Sequence, residues 1–119
     1  MAGGRRREPT KTDTVEVTQS GGVTLGRALD EDGTYTAAAG KPTGGIAMES
    51  ADEGGYVAVV KMGFIGAIAG GSVGNDTDLE VGTNGKIVPK NTGTTIGVSQ
   101  ETAGGDGDAF DAWINVLDA

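Results

Sequence analysis

Two short stretches carry carboxylates at a spacing that could bind a cation. "GNDTDLEVG" places Asp76, Asp78 and Glu80 two residues apart, and "GGDGDAFD" places Asp106, Asp108 and Asp111 in a glycine-rich setting. The first resembles the opening of an EF-hand loop, but Val81 stands where that loop needs glycine and Ile87 where it needs a bidentate glutamate. The second resembles one turn of a calcium β-roll, with Ala109 in place of an aspartate and no repeat array around it. Both stretches therefore read as solvated turns, and no metal or other cofactor is expected. Nucleophilic chemistry lacks its usual base, and no carboxylate pair stands out to replace it. Ser20, Ser50, Ser72 and Ser99 are present, but the chain has no histidine, the usual proton acceptor at neutral pH. "GGSVGNDT" lacks the Gly-Lys-Ser/Thr ending of a phosphate loop. Lys61, inside an apolar run, reads as a side chain whose stem is buried and whose ammonium reaches an edge. Catalysis is not expected.

Two further features point to binding. "GRRRE" sets Arg5, Arg6 and Arg7 in a row, followed by Lys11. Three arginines make few phosphate contacts, and nucleic-acid affinity scales with that number. Net charge is −8 overall, and the four cations of residues 1–11 stand against Glu8 alone, which leaves −11 on the remaining residues. Such a body opposes DNA, so the expected partner of the arginines is an acidic protein surface, with a plain solvated tail as the alternative. Trp113, the sole tryptophan, either fills the core or anchors an interface, where tryptophan is enriched.

These side chains have to be positioned by a β-rich scaffold. Short apolar runs recur between Gly, Asn, Asp and Thr clusters, the pattern of many short strands. "TVEVT" (14–18) alternates, as does "GVTLGRAL" (22–29), with Val23, Leu25 and Arg27 on one face. "DEDG" (30–33) and "SADEGG" (50–55) are turns, with "GIAME" (45–49) between them. "YVAVVKMGFIGAI" (56–68) has too many valines and glycines for a helix. It predicts a strand over 56–62, a bend or bulge at Gly63 and a second segment over 64–69, with apolar residues covered on both sides. Asn84-Gly85 between "DLEV" and "KIV" is a hairpin signal, and Pro89 must end its second strand or keep it at an edge. "TTIGVSQ" (94–100) is a further strand. "FDAWINVL" (110–117) closes with Phe110, Ala112, Ile114 and Val116 opposed to Asp111, Trp113 and Asn115. The fold class expected is all-β: a small single-domain barrel or sandwich of short antiparallel strands. A flexible basic arm over 1–12 precedes a β-rich domain over 13–119.

The core material is thin. Val, Ile, Leu and Phe number 23 of 119 residues, as many as the glycines, and glycine loses the most backbone freedom on folding. The chain therefore gains from copies of itself or from a larger surface, since binding stabilises only the folded state. The acidic, lysine-poor body also suits high salt, where repulsion is screened to about 3 Å. There is no cysteine and hence no disulfide framework. "MAGGRRREPTKTDT" has no apolar region of the kind a secretory signal needs, and no run of about 18 apolar residues offers a membrane helix.

The second half carries a resemblance. "GGYVAVVKMGFIGAIAGGSVGNDTDLEVGTNGKIVP" followed by "TTIGVSQETAGGDGDAFDAWI" resembles the capsid cement, or head-decoration, proteins of tailed double-stranded DNA viruses. The shared pattern is a strand ending at Gly63, then Gly71 to Val73 and Gly74 to Leu79, the Gly85-Lys86 turn, Ile96-Gly97-Val98, the glycine-aspartate turn at 105–108 and the strand from Phe110 to Val116. It covers roughly residues 13–117. The central strand is more glycine-rich than in that family, and the arginine-rich start lies outside the pattern. The resemblance implies a non-enzymatic protein on the outer surface of a viral capsid, in contact with the major capsid protein and with itself as a homotrimer, and with neither nucleic acid nor membrane. Arg5, Arg6, Arg7, Lys11 and Trp113 are the expected contact residues. A carbohydrate- or ion-binding β-module is the alternative, although only five aromatics are available to it. A minor tail or baseplate domain is a third reading.

Overall fold

The computed structural model describes residues 11–36 and 40–116. Eight strands follow in chain order: β1 (Lys11–Glu16), β2 (Ala28–Leu29), β3 (Gly45–Ala47), β4 (Tyr56–Ile68), β5 (Asp78–Val81), β6 (Ile87–Pro89), β7 (Gly97–Ser99) and β8 (Ala109–Asn115). A single 3₁₀ turn, Thr83–Gly85, is the sole helical element among the described residues. The strands form one sheet in the order β2-β3-β4-β8-β7-β5-β6, with β1 also paired to β4. All strand pairs are antiparallel. The two ends of the sheet approach each other. The turn before β6 lies against β2, where the Arg27 guanidinium donates to the Asn84 carbonyl at 2.7 and 3.1 Å, and Gly70 N–H donates to the Ile87 carbonyl at 2.9 Å. The sheet is thus nearly closed into a small single-domain barrel, as the sequence pattern implies.

β4 is the axis of the molecule. Its first half pairs with β1 and β3, and its second half pairs with β8 from Met62↔Asn115 to Ile68↔Ala109. The expected interruption at Gly63 does not occur, since the strand runs unbroken for 13 residues. The irregularity falls two residues earlier: Thr12 partners Val60 and Lys11 partners Met62, so the register skips Lys61. The two faces of this strand serve different cores. Val57 and Val59 enter a smaller cluster with Val15, Val17 and Leu29. Val60 and Ala67 enter a larger one with Leu79, Ile87, Phe110 and Ile114. Lys61 behaves as its sequence context suggests. Its stem is mostly buried, while its ammonium donates to the Gly44 carbonyl at 2.7 Å and pairs with the exposed Glu31 at 3.4 Å.

Several boundaries differ from the sequence reading. Residues 1–10, with Arg5, Arg6 and Arg7, lie outside the described residues. Lys11 and Thr12, expected in the arm, belong to β1, because pairing with β4 carries the ladder past the apolar alternation. Residues 22–29 do not form one strand. Val23 makes an isolated bridge to Ala51, a turn follows at Leu25 and Gly26, and only Ala28–Leu29 pair with β3. Val23 is consequently buried while Leu25 is exposed. The β5–β6 hairpin forms where Asn84-Gly85 indicates, with both residues at positive φ (57° and 76°), as a tight hairpin turn requires. Pro89 is the last residue of the last strand in the sheet order, so its missing N–H interrupts no interior ladder.

Candidate functional site

β8 alternates cleanly, with Phe110, Ala112 and Ile114 buried, Asp111 exposed, and Trp113 and Asn115 half-buried. The register with β4 and β7 sets the outward residues into rows. Met62 lies opposite Asn115, Phe64 opposite Trp113, and Gly66 opposite Asp111. Trp113 in turn lies opposite Val98, and Val98 opposite Asp78. The Phe64 and Trp113 rings pack with centroids 4.8 Å apart and planes tilted by 59°, a favourable aromatic geometry. Phe64 remains 63% exposed. Three strands therefore present an apolar row, Phe64–Trp113–Val98, on the outside of the barrel, with the Asp78 carboxylate at one end and Asp111 in the next row.

Trp113 is thus neither a core residue nor a free one: it is half-buried on the outer face and leans on Phe64. The expectation that β4 is covered on both sides holds for Val57, Val59 and Val60, but fails at Phe64. Sequence reasoning missed Phe64 because its outward direction depends on the bulge at Lys61. Lys11 is exposed at the first residue of β1, and its Cα partner Met62 precedes Phe64 by two residues on the same strand. Lys11 and Trp113 consequently belong to one region of the surface. Arg5, Arg6 and Arg7 lie outside the described residues.

The carboxylates that suggest a cation site do not converge, and two of them, Glu80 and Asp106, are engaged separately. Asp76 sits in a turn with φ 55°. Glu80 is buried and its Oε1 accepts the N–H groups of Asn91 (2.9 Å) and Gly93 (2.8 Å). Asp106 pairs with Lys86 at 3.0 Å. Among the described residues no three metal-type ligands gather at one point. Three serines fasten loops: Ser50 Oγ accepts Leu25 N–H, Ser72 donates to the Gly104 carbonyl, and Ser99 donates to the Gly74 carbonyl. A cavity of about 500 Å³ lies between the β5–β6 hairpin and the 105–108 turn, lined by Gly70, Gly82, Asn84, Val88 and the Lys86–Asp106 pair. It contains no aromatic ring on which a sugar could stack.

No protein-family profile matches the chain, and no curated protein matches it. Among solved structures it is similar to the head fiber gp8.5 N base of bacteriophage phi29, with a TM-score of 0.69 and 21% sequence identity, over 90% of this chain and 95% of that one. The likeness spans both chains almost end to end, and it establishes that this barrel has the fold of that head fiber base.

Proposed function

We propose that this chain is a structural, non-enzymatic protein of a tailed-virus particle, which binds the outer surface of the assembled capsid as a homotrimer and stabilises it. The observation that carries this reading is the fold shared with a phage head fiber base across nearly the whole of both chains. The chemistry of the surface agrees with it. The polar groups of the described turns fasten loops, and the outstanding surface feature is an exposed aromatic row of the kind that anchors protein interfaces. The partners are the major capsid protein and sister subunits, met through Arg5, Arg6, Arg7, Lys11 and Trp113. Each contact is modest, and linked subunits engage several capsid proteins at once, so avidity supplies the retention. The acidic remainder of the surface keeps decorated particles apart.

The test is co-sedimentation with assembled shells of the cognate virus. The chain should pellet with shells in saturable amounts and raise the temperature at which they rupture. A chain that stays in the supernatant, and leaves the rupture temperature unchanged, sinks the proposal. High copy number per head separates capsid decoration from a tail or baseplate role.

A further inference from the structure

The outer face of β4, β8 and β7 asks for a partner of particular chemistry. Its row Phe64–Trp113–Val98 is apolar, and Phe64 is 63% exposed. Gly66, next along β4, carries no side chain, and a Cβ there would meet nothing within 4 Å. The flank of the Phe64 ring toward Asp111 is therefore open. Asp111 is exposed, and its backbone N–H is held by Glu101 Oε1 at 2.8 Å, which brings a second carboxylate to the same place. Asp78 closes the far end of the row. Neither ion pair among the described residues involves Asp78, Glu101 or Asp111.

A purely apolar partner would strip water from these carboxylates without replacing their hydrogen bonds. The acidic barrel of another copy would be repelled. A guanidinium satisfies both parts, because it stacks flat on an aromatic ring and forks onto a carboxylate. The molecule already makes the stacking half of this combination once: Arg27 lies 3.7 Å above the Tyr35 ring centroid, with its fork spent on the Asn84 backbone carbonyl rather than on a carboxylate. The remaining arginines of the chain are Arg5, Arg6 and Arg7. The described chain begins at Lys11, opposite Met62, at the border of this very face.

We propose that Arg5–Arg7 of one copy dock on the Phe64–Trp113 face of a second copy, between its carboxylates. The proposal rests on the homo-oligomer named above and supplies its bond: a contact between different patches, repeated around a three-fold axis, closes into a ring. It also links chains of net charge −8 through their basic ends.

Trp113 is the sole tryptophan, so its emission reports the face directly. Full-length chain, the triple variant Arg5→Ala, Arg6→Ala, Arg7→Ala, and Asp111→Asn are compared by light-scattering mass against concentration and by acrylamide quenching. The wild type should form a closed oligomer with Trp113 shielded, and dilution should release mass and shielding together. The triple variant should self-associate about ten- to a hundredfold more weakly, with Trp113 as accessible as in diluted wild type. Asp111→Asn should weaken association from the receiving side, and unchanged far-ultraviolet dichroism shows that both variants fold. Variants that keep the wild-type mass and quenching overturn the proposal. A wild type that is monomeric at every concentration, yet loses Trp113 shielding in the triple variant, also overturns it, because the segment then folds back on its own chain. Shell co-sedimentation run in parallel keeps the two readings apart: wild-type capture with unaltered variants sinks this contact alone.

Discussion

Glu80 lies in β5, only 6% exposed, and its position shows why single residues were the hardest part of this chain to read. Beside Asp76 and Asp78 it looks like a cation ligand. In the fold its Oε1 takes two backbone N–H groups from the loop between β6 and β7, eleven and thirteen residues away. Glu80→Ala leaves both donors without that acceptor. It should cost about 2–3 kcal/mol in urea unfolding, as hydrogen bonds to charged groups do, while Glu80→Gln, which keeps an acceptor, should cost about half as much. A loss within error for the alanine variant contradicts this role. Asp32 supplies a pH-dependent case. The Thr34 hydroxyl at 2.7 Å, followed by the Thr34 N–H at 3.1 Å, holds the Asp32 carboxyl below its ordinary range. The folded value lies under the unfolded one, so this stabilisation is present above about pH 4 and fades as pH falls through the folded pKa. The contribution is small, because Asp32 is exposed and its bonds compete with water. Thr34→Val should raise the Asp32 midpoint in a carboxyl NMR titration, and an unmoved midpoint refutes the cause.

At the scale of elements, local signals with a local cause were legible. Asn84-Gly85 gives the β5–β6 hairpin because both residues tolerate the left-handed backbone that the turn needs. The alternation of residues 110–116 gives β8 and its buried face. The bulge at Lys61 and the breakup of residues 22–29 were not legible. Their cause is pairing with distant strands, β1 in one case and Ala51 and β3 in the other. The outward Phe64 follows from that bulge, so the candidate site was half visible: Trp113 from its own alternation, its ring partner only from the register. The hairpin also has a duty that its sequence does not announce. Gly85 packs against the Ala28 carbonyl of β2, where the two ends of the sheet meet. Gly85→Ala combines a strained φ with a Cβ directed into that carbonyl. It should destabilise the barrel by at least about 2 kcal/mol, with hydrogen exchange accelerated at β2 and β6 before β8. Uniform exchange across the sheet argues against a seam there.

At the scale of the whole molecule, a chain with few large apolar residues divides them between two clusters joined by one long strand. Burial is complete where it occurs, as in Leu29, Ile46, Leu79, Ile87, Ile96 and Ile114 at 0% exposure. The thin core is thus kept dry at its largest aliphatic side chains. The opposing term is charge. At −8 the folded chain repels itself, and the two ion pairs among the described residues each join a half-buried lysine to an exposed, water-screened carboxylate, so they are worth little individually. Unfolding spreads those charges apart, so repulsion favours the unfolded state and its removal should favour the native one. Raising sodium chloride from about 0.05 M to about 1 M shrinks the screening length from above 10 Å to about 3 Å. The melting temperature should climb steadily over that range at a fixed protein concentration, and by more than for a neutral barrel of equal size. The proposed arginine-mediated contact would add a second, opposite dependence, because salt would also screen Arg5–Arg7 from the carboxylates proposed to receive them. The two separate by concentration: the gain in dilute monomer comes from intramolecular screening alone, whereas concentrated oligomer should gain less. A melting temperature that is flat or falls with salt in dilute monomer would show that charge is not what opposes this core.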